Sequence, residues 1–530
     1  MAGKVERNFA FYGTTGIRCT LRVCKLAKTL ELLQTAGVVL KQAQMVHTVK
    51  CAERSGTPIE IIPTHQWFIK IIDKKEKLLA KGAECIWYPE FMRIRLNQWI
   101  EGLKEDWCIS RQRFFGVPFP VWRSKRAGEE GKILFADIEQ LPVDPTVDLP
   151  KGYAREEVDA DIDVMDTWAT SSISPQINAK SLMPNKLFPA DLRPQAHEII
   201  RTWAFYTIVK ALLHGNTIPW KSVMISGWCL ASDKTKMSKS KDNVVTPVAL
   251  IEDKGSDAVR YWASTSRLAT DTAFSEDLLK IGRKLVTKLW NASNFAAINL
   301  DKIQGIPTTA SQDTQGGIVT ETLDLWILSR LYQCIKKATQ EFEKFEYCDA
   351  RVTIEDFFWN DFCDNYLELV KARAYGESST GQQSALYAIY HCLETLLRLF
   401  APFVPHITEE LYSHIFDGRG SVHARGLWPK ADNYPYDAKA EQSGMACVDV
   451  LNLIRKAKSE ANVSIKFPVT LVEVKGKDKP SWADLVPVLE DLRAAGNAES
   501  IVEASSDQLV SISEKGWFTV NITLGTASEA

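Results

Sequence analysis

The sequence predicts a mixed α/β core, then a helix bundle, then a small α+β appendage. Three observations carry this order. Short apolar runs alternate with helical stretches up to about residue 280. From 281 onward apolar residues recur at helical spacing, and after about 445 the pattern returns to alternation with period two. The 530 residues suffice for roughly three or four domains. The balance of 64 basic against 66 acidic residues, a formal charge of -2, argues neither for nor against a nucleic-acid partner. No run of 18 apolar residues and no signal peptide is seen, so a soluble, cytoplasmic chain without a membrane partner is expected. The 11 cysteines form no CxxC pair, which points away from a zinc ribbon or a disulfide framework. Cys108 and Cys229 lie in apolar stretches and are expected to be buried.

Residues 1–30 show no clean periodicity, and 30–62 read as short strands and turns, with Ser55-Gly56-Thr57-Pro58 as a turn signal. A helix is expected from about Gln66 to Lys81. Gly116 and the prolines that follow favour extended chain, and 123–192 reads as a loop-rich insertion. His197–Leu213 has helical character, and the apolar run 223–228 reads as a buried strand. In the bundle, Ile354, Phe358, Phe362 and Tyr366 repeat every four residues, and a second stripe runs from Leu386 to Phe400 before Pro402. The polar stretch Asp432–Gly444 reads as a linker. It leads to a helix near 450–461, a strand near 469–474, and alternation about a Lys515-Gly516 turn.

The run 223–228 delivers Lys236-Met237-Ser238-Lys239-Ser240. Two ammonium groups with hydroxyl donors suit a polyphosphate, whose departing charge they can follow. The same composition also suits a solvated basic loop. This pentapeptide matches the signature loop of class I aminoacyl-tRNA synthetases. Asp106–Gln112, Asp163–Ser171, Ile199–Trp203 and Lys288–Ala292 follow the valyl-tRNA synthetase pattern in order, so the chain resembles that family from about residue 30 to its end.

The resemblance implies a partial Rossmann-like catalytic core, an α-helical anticodon-binding bundle and an α+β C-terminal appendage. Its divisions are 1–62, an N-terminal segment with a remnant of the editing insertion; 63–280, the second half of the catalytic domain; 281–430, stem and anticodon-binding helices; and 445–530, the appendage. It implies activation of valine with ATP, with Mg2+ expected alongside, and transfer to tRNA(Val). Lys236 and Lys239 would be catalytic, and Lys236, Ser238, Lys239 and Ser240 would bind ATP. Trp168, Ile199 and Trp203 would enclose the valine side chain. Asp106 and Arg111 would organise the adenylate or pair with each other, and His197-Glu198 would reach substrate or start a helix. Lys371, Arg373 and Arg398 are unranked candidates for reading the anticodon, and Ile454–Lys458 is similar to a tRNA-contacting tail.

The family's His-Ile-Gly-His motif is absent from the 530 residues, and His214-Gly215 stands in another context. Residues 49–58 resemble only the end of an editing insertion, without which an apolar pocket rejects a hydroxyl isostere weakly. Asp242 stands where a glycine is usual, and Arg123–Arg126 offers no zinc-binding cysteine, so no metal site is expected. These departures suggest a C-terminal portion completed by an N-terminal half supplied separately, or a non-catalytic tRNA-binding fragment.

Overall fold

The computed structural model describes residues 2–7, 21–43, 45–51, 57, 59, 64–182, 187–237, 243–305, 307–416, 419–424, 426–476, 480–504, 511–512 and 516–526. It divides into two compact units, residues 1–70 with 106–167, and residues 71–105 with 168–530.

In the first unit, Ala2–Arg7 pairs antiparallel with Met45–Lys50, and Leu21–Thr35 is a helix, so residues 30–35 are helical rather than strand-like. The helix expected from Gln66 begins later in the chain. Phe68–Ile69 is strand, paired with Trp107–Cys108, and the Trp67 N–H donates to Ser110 Oγ at 2.8 Å. Tertiary pairing thus overrides local helix propensity there. The stretch read as a loop-rich insertion contains strands: Val121–Ser124 pairs antiparallel with both Ile133–Phe135 and Val158–Ala160. Trp122, fully buried, anchors this sheet by donating its indole N–H to the Pro145 carbonyl at 3.1 Å.

The second unit opens with α1 (Lys75–Glu84) and β1 (Ile86–Tyr88), and continues through β2 (Ala190–Ala196), α2 (Phe205–Gly215) and β3 (Trp220–Ser226). The three strands form a parallel sheet in the order β2-β3-β1, with Gln195 opposite Ile225 and Val223 opposite Trp87. Val223 and Ile225 are fully buried, as a strand covered by helices requires. A π-helical turn, Ile200–Ala204, joins β2 to α2.

Helices α3 (Glu276–Leu300), α4 (Thr322–Glu343) and α5 (Thr380–Phe400) belong to the bundle. Buried almost all round, α5 is its central helix. The stripe Ile354, Phe358, Phe362 and Tyr366 is fully buried and runs from helix Tyr347–Asp356 into a π-helical segment, Phe357–Tyr366.

Asp432–Gly444 is not a linker throughout. Asp437 caps α6 (Ala438–Glu460) by accepting from the N–H groups of Lys439 and Ala440 at 2.9 Å. A Cβ on Gly444 would fall 2.1 Å from Trp326 Cγ, so this glycine lets α6 lie against α4. Its small and polar residues read as linker because the close approach leaves no room for large apolar ones. Beyond α6 come β4 (Val469–Gly476), α7 (Leu489–Gly496), β5 (Ala498–Glu503) and β6 (Phe518–Leu524). Here β4 pairs parallel with β5 and antiparallel with β6, which also takes Ser511–Ile512. Val472, Val474, Phe518 and Val520 are buried in one cluster with Leu393 and Leu396 of α5, so bundle and appendage share a continuous core.

Candidate active site

The parallel sheet ends where Ser226 passes to Gly227 and Trp228. A Cβ on Gly227 would lie 2.2 Å from the Thr270 carbonyl oxygen, so the chain passes this point only as glycine. Cys229–Leu230 then runs parallel to Thr272–Ala273, and Leu230 bridges back to Lys236 across a turn closed by the Ala231 N–H and Thr235 oxygen at 2.9 Å. Cys229 is exposed on this segment, contrary to its apolar surroundings in sequence, whereas Cys108 is half-buried. The turn fixes where Lys236 emerges. Its ammonium lies 3.5 Å from Glu198 Oε2 and 4.7 Å from the centre of the Trp228 ring. The Trp228 indole donates to the same Glu198 oxygen at 2.8 Å, so one carboxylate holds both. Ser238, Lys239 and Ser240 lie outside the described residues, as does Asp242.

His197 is buried against the Trp228 ring, with centroids 4.8 Å apart. Its Nε2 is 3.3 Å from Asp271 Oδ1, and its Nδ1 is 3.5 Å from Arg95 Nη1. A guanidinium can only donate, so these partners select the tautomer with the proton on Nε2. The Trp228 backbone N–H donates to Asp271 Oδ1 at 2.8 Å, and this bond, followed by that of His197, holds the Asp271 carboxyl below the usual carboxylate range. The pair His197-Glu198 therefore starts the 3-10 turn His197–Ile199 and also faces the lysine turn. Asp271 and Arg95 carried no signal in sequence, being single charged residues distant from any motif.

Trp203 is buried in the π-helical turn. It stacks on Trp220 at 5.2 Å and 11°, lies 3.7 Å from the Arg193 guanidinium, and donates its indole N–H to the Ser171 carbonyl at 3.2 Å. That bond ties helix Thr167–Ser171, which bears Trp168, to the turn following Ile199. Trp168 and Ile199 are half-buried, and the three apolar candidates stand on three elements, that helix, the 3-10 turn His197–Ile199 and the π-helical turn. In the first unit, Arg111 pairs with Asp166 at 3.3 Å.

Most of the expected tRNA-facing cations are engaged within the fold. Arg373 grips buried Asp324 through Nη1 and Nη2, at 2.9 and 3.0 Å, and reaches Asp491 of α7 through Nε at 2.8 Å. Arg398 pairs with Glu394 at 2.9 Å, whereas Lys371 stays exposed. In the tail helix, Lys458 is buried and donates to the carbonyls of Ile465 and Gly496 at 2.9 and 2.8 Å, and Arg455 donates to Asn365 and the Asp364 carbonyl. A basic helical face read from sequence is thus largely internal.

The family model for class I tRNA synthetases (I, L, M and V) matches residues 59–275, and that for the anticodon-binding domain of tRNA ligases matches 324–474. Valine–tRNA ligase of Wolbachia sp. subsp. Brugia malayi is 51% identical over 508 residues, covering 94% of this chain. The chain belongs to the valine–tRNA ligase family. The Rickettsia conorii valine–tRNA ligase is 49% identical over 497 residues, covering 92% of the chain. The chain spans 58% and 60% of the lengths of these two valine–tRNA ligases. Among solved structures, Mycobacterium tuberculosis methionyl-tRNA synthetase with methionyl-adenylate superposes with a TM-score of 0.52 at 19% identity, covering 72% of each chain. The Agrobacterium radiobacter K84 LeuRS ternary complex gives 0.50 at 23%, covering 62% of this chain and 43% of that one. Both likenesses establish the class I fold that valine–tRNA ligases share.

Proposed function

We propose that this chain performs the valine–tRNA ligase reaction, ATP-dependent activation of valine and its transfer to tRNA(Val), in the cytoplasm. The observation that carries the reading is 51% identity over 94% of the chain to a valine–tRNA ligase. In support, the lysine turn emerges at the carboxyl end of β3, where ligands of parallel sheets bind. Lys236 and Lys239, with Ser238 and Ser240, stabilise charge on the departing pyrophosphate. Trp168, Ile199 and Trp203 hold the branched side chain, the indoles giving a rigid wall that excludes larger groups. Mg2+ is carried in on the triphosphate, where phosphate oxygens and water supply most of its ligands. Among the described residues, no group of three or more His, Cys, Asp or Glu could hold a metal ion. For tRNA, the favoured surface is one side of α3, where Lys280, Arg283, Lys284 and Lys288 line a cleft with Lys254 and Trp359.

The test is valine-dependent ATP–pyrophosphate exchange, with isoleucine and threonine as competitors, by the chain alone and with the amino-terminal portion of the Wolbachia enzyme added. Exchange specific for valine in either case supports the reading, and none in both overturns it for a folded chain. The match of residues 324–474 to the anticodon-binding domain of tRNA ligases supports a second reading, a non-catalytic tRNA-binding protein. On that reading tRNA binding persists while exchange is missing throughout.

A further inference from the structure

The turn that carries Lys236 is braced within itself. Asp233 Oδ1 accepts from the Thr235 N–H at 3.0 Å and from its hydroxyl at 2.7 Å, and Asn243 Nδ2 donates to the Lys236 carbonyl at 3.3 Å. What these bonds leave open is how the turn is aimed from the sheet. That depends on Trp228, over whose ring the Lys236 ammonium lies. Trp228 is gripped at three points. Glu198 takes its indole proton, His197 packs on its ring, and Asp271 takes its backbone proton. Two of the three converge on Asp271, whose Oδ1 also meets His197 Nε2, while Arg95 stands at the other ring nitrogen. The segment bearing Asp271 follows the exit of β3 closely. The N–H groups of Ala269, Thr272 and Phe274 donate to the carbonyls of Ile225, Trp228 and Leu230 at 2.9, 2.8 and 2.9 Å. Ala269 holds φ at 58°, a left-handed conformation that residues other than glycine seldom take, and such outliers gather where geometry serves a site.

The Asp271 side chain is 40% exposed, and pairs this open to water add little stability. Its carboxylate acts through direction instead. One oxygen fixes both the main chain of Trp228 and, through the imidazole, the ring on which Lys236 rests. An ammonium placed beforehand avoids the entropy of ordering a long side chain at the moment when charge develops. We infer that Asp271 is a positioning residue, which through Trp228 and His197 sets the point from which Lys236 meets the phosphates of ATP. This rests on the reading that Lys236 stabilises the departing pyrophosphate.

Asp271→Ala removes the acceptor and Asp271→Asn keeps it without the charge, and three measurements compare both with the unaltered full chain. Trypsin cleavage of the Lys236–Met237 bond, timed by mass spectrometry, reads the turn without requiring activity. Asp271→Ala should be cut there about fivefold faster through local opening, and Asp271→Asn within about twofold of the parent rate. The urea unfolding midpoints of all three should agree. In valine-dependent pyrophosphate exchange, with the amino-terminal portion of the Wolbachia enzyme added, Asp271→Ala should raise the KM for ATP about fivefold and leave the KM for valine unchanged. Equal cleavage rates would overturn the inference. So would a lowered midpoint or a parallel rise in both KM values, either of which would mean that Asp271 serves the fold. Exchange by Asp271→Ala with both KM values unchanged would overturn it while leaving the proposed function standing. Faster cleavage of Asp271→Ala at this bond, in a chain without exchange, would do the reverse.

Discussion

Glu198 holds the first lysine of the signature turn. Its carboxylate accepts from the Trp228 indole and pairs with Lys236, so a phosphate approaching that lysine has to compete with a carboxylate already beside it. Both members of the pair are exposed, and such pairs contribute at most about 1 kcal/mol. Glu198→Gln, which keeps an acceptor for the indole but removes the charge, should therefore lower the KM for ATP in pyrophosphate exchange by up to about fivefold. A raised KM would mean that Glu198 contacts the nucleotide itself. The site was unevenly legible at this scale. Lys236, Trp203 and Ile199 stood in recognisable segments. Asp271 and Arg95 did not, because what makes them matter is a fold that brings together positions 74 and 102 residues from His197.

Helices and strands with pronounced periodicity were legible, and the misses have identifiable causes. The stripes ending at Tyr366 and Phe400 are buried along their length, since large apolar residues at fixed spacing have one economical arrangement. Where small residues mediate contact the signal fades, as in the first turns of α6. Gly444→Ala would place a methyl group on the Trp326 ring, and overpacking of this kind costs about 1–3 kcal/mol. Urea unfolding should show that loss, whereas a surface helix would gain stability from the same change. Arg373 invites a larger effect, because it neutralises Asp324, whose side chain is fully buried, and also reaches Asp491. Arg373→Met should cost about 3–5 kcal/mol by leaving that carboxylate without its partner. If the variant unfolded like the parent but failed to bind tRNA, Arg373 would regain its standing as an anticodon contact.

At the scale of the whole molecule, the continuous core decides how the chain can be divided. From sequence, the segment after about 445 looks removable. The structure instead embeds Val450, Leu453 and Ile454 of α6 in the cluster that holds the bundle helices, with Val472 and Phe518 beyond them. A chain ending at 445 should therefore lose its cooperative thermal transition, as followed by circular dichroism, and not merely its affinity for tRNA. The α3 cleft gives a separate expectation. Arg283 and Lys284 are exposed and have no ion pair among the described residues, so replacing both by glutamine should leave the melting temperature unchanged. The same change should flatten the dependence of log Kd for tRNA on log salt by up to about two units, one for each phosphate that is no longer neutralised.

The cations along α3 sit on a chain whose formal charge is only -2. Such a molecule has a weak monopole field and a pronounced local one, so an approaching polyanion exerts a torque before it exerts much pull. Association with nucleic acid should accordingly be orientation-selective, its rate constant falling as the Debye length shrinks below the dimensions of the cleft.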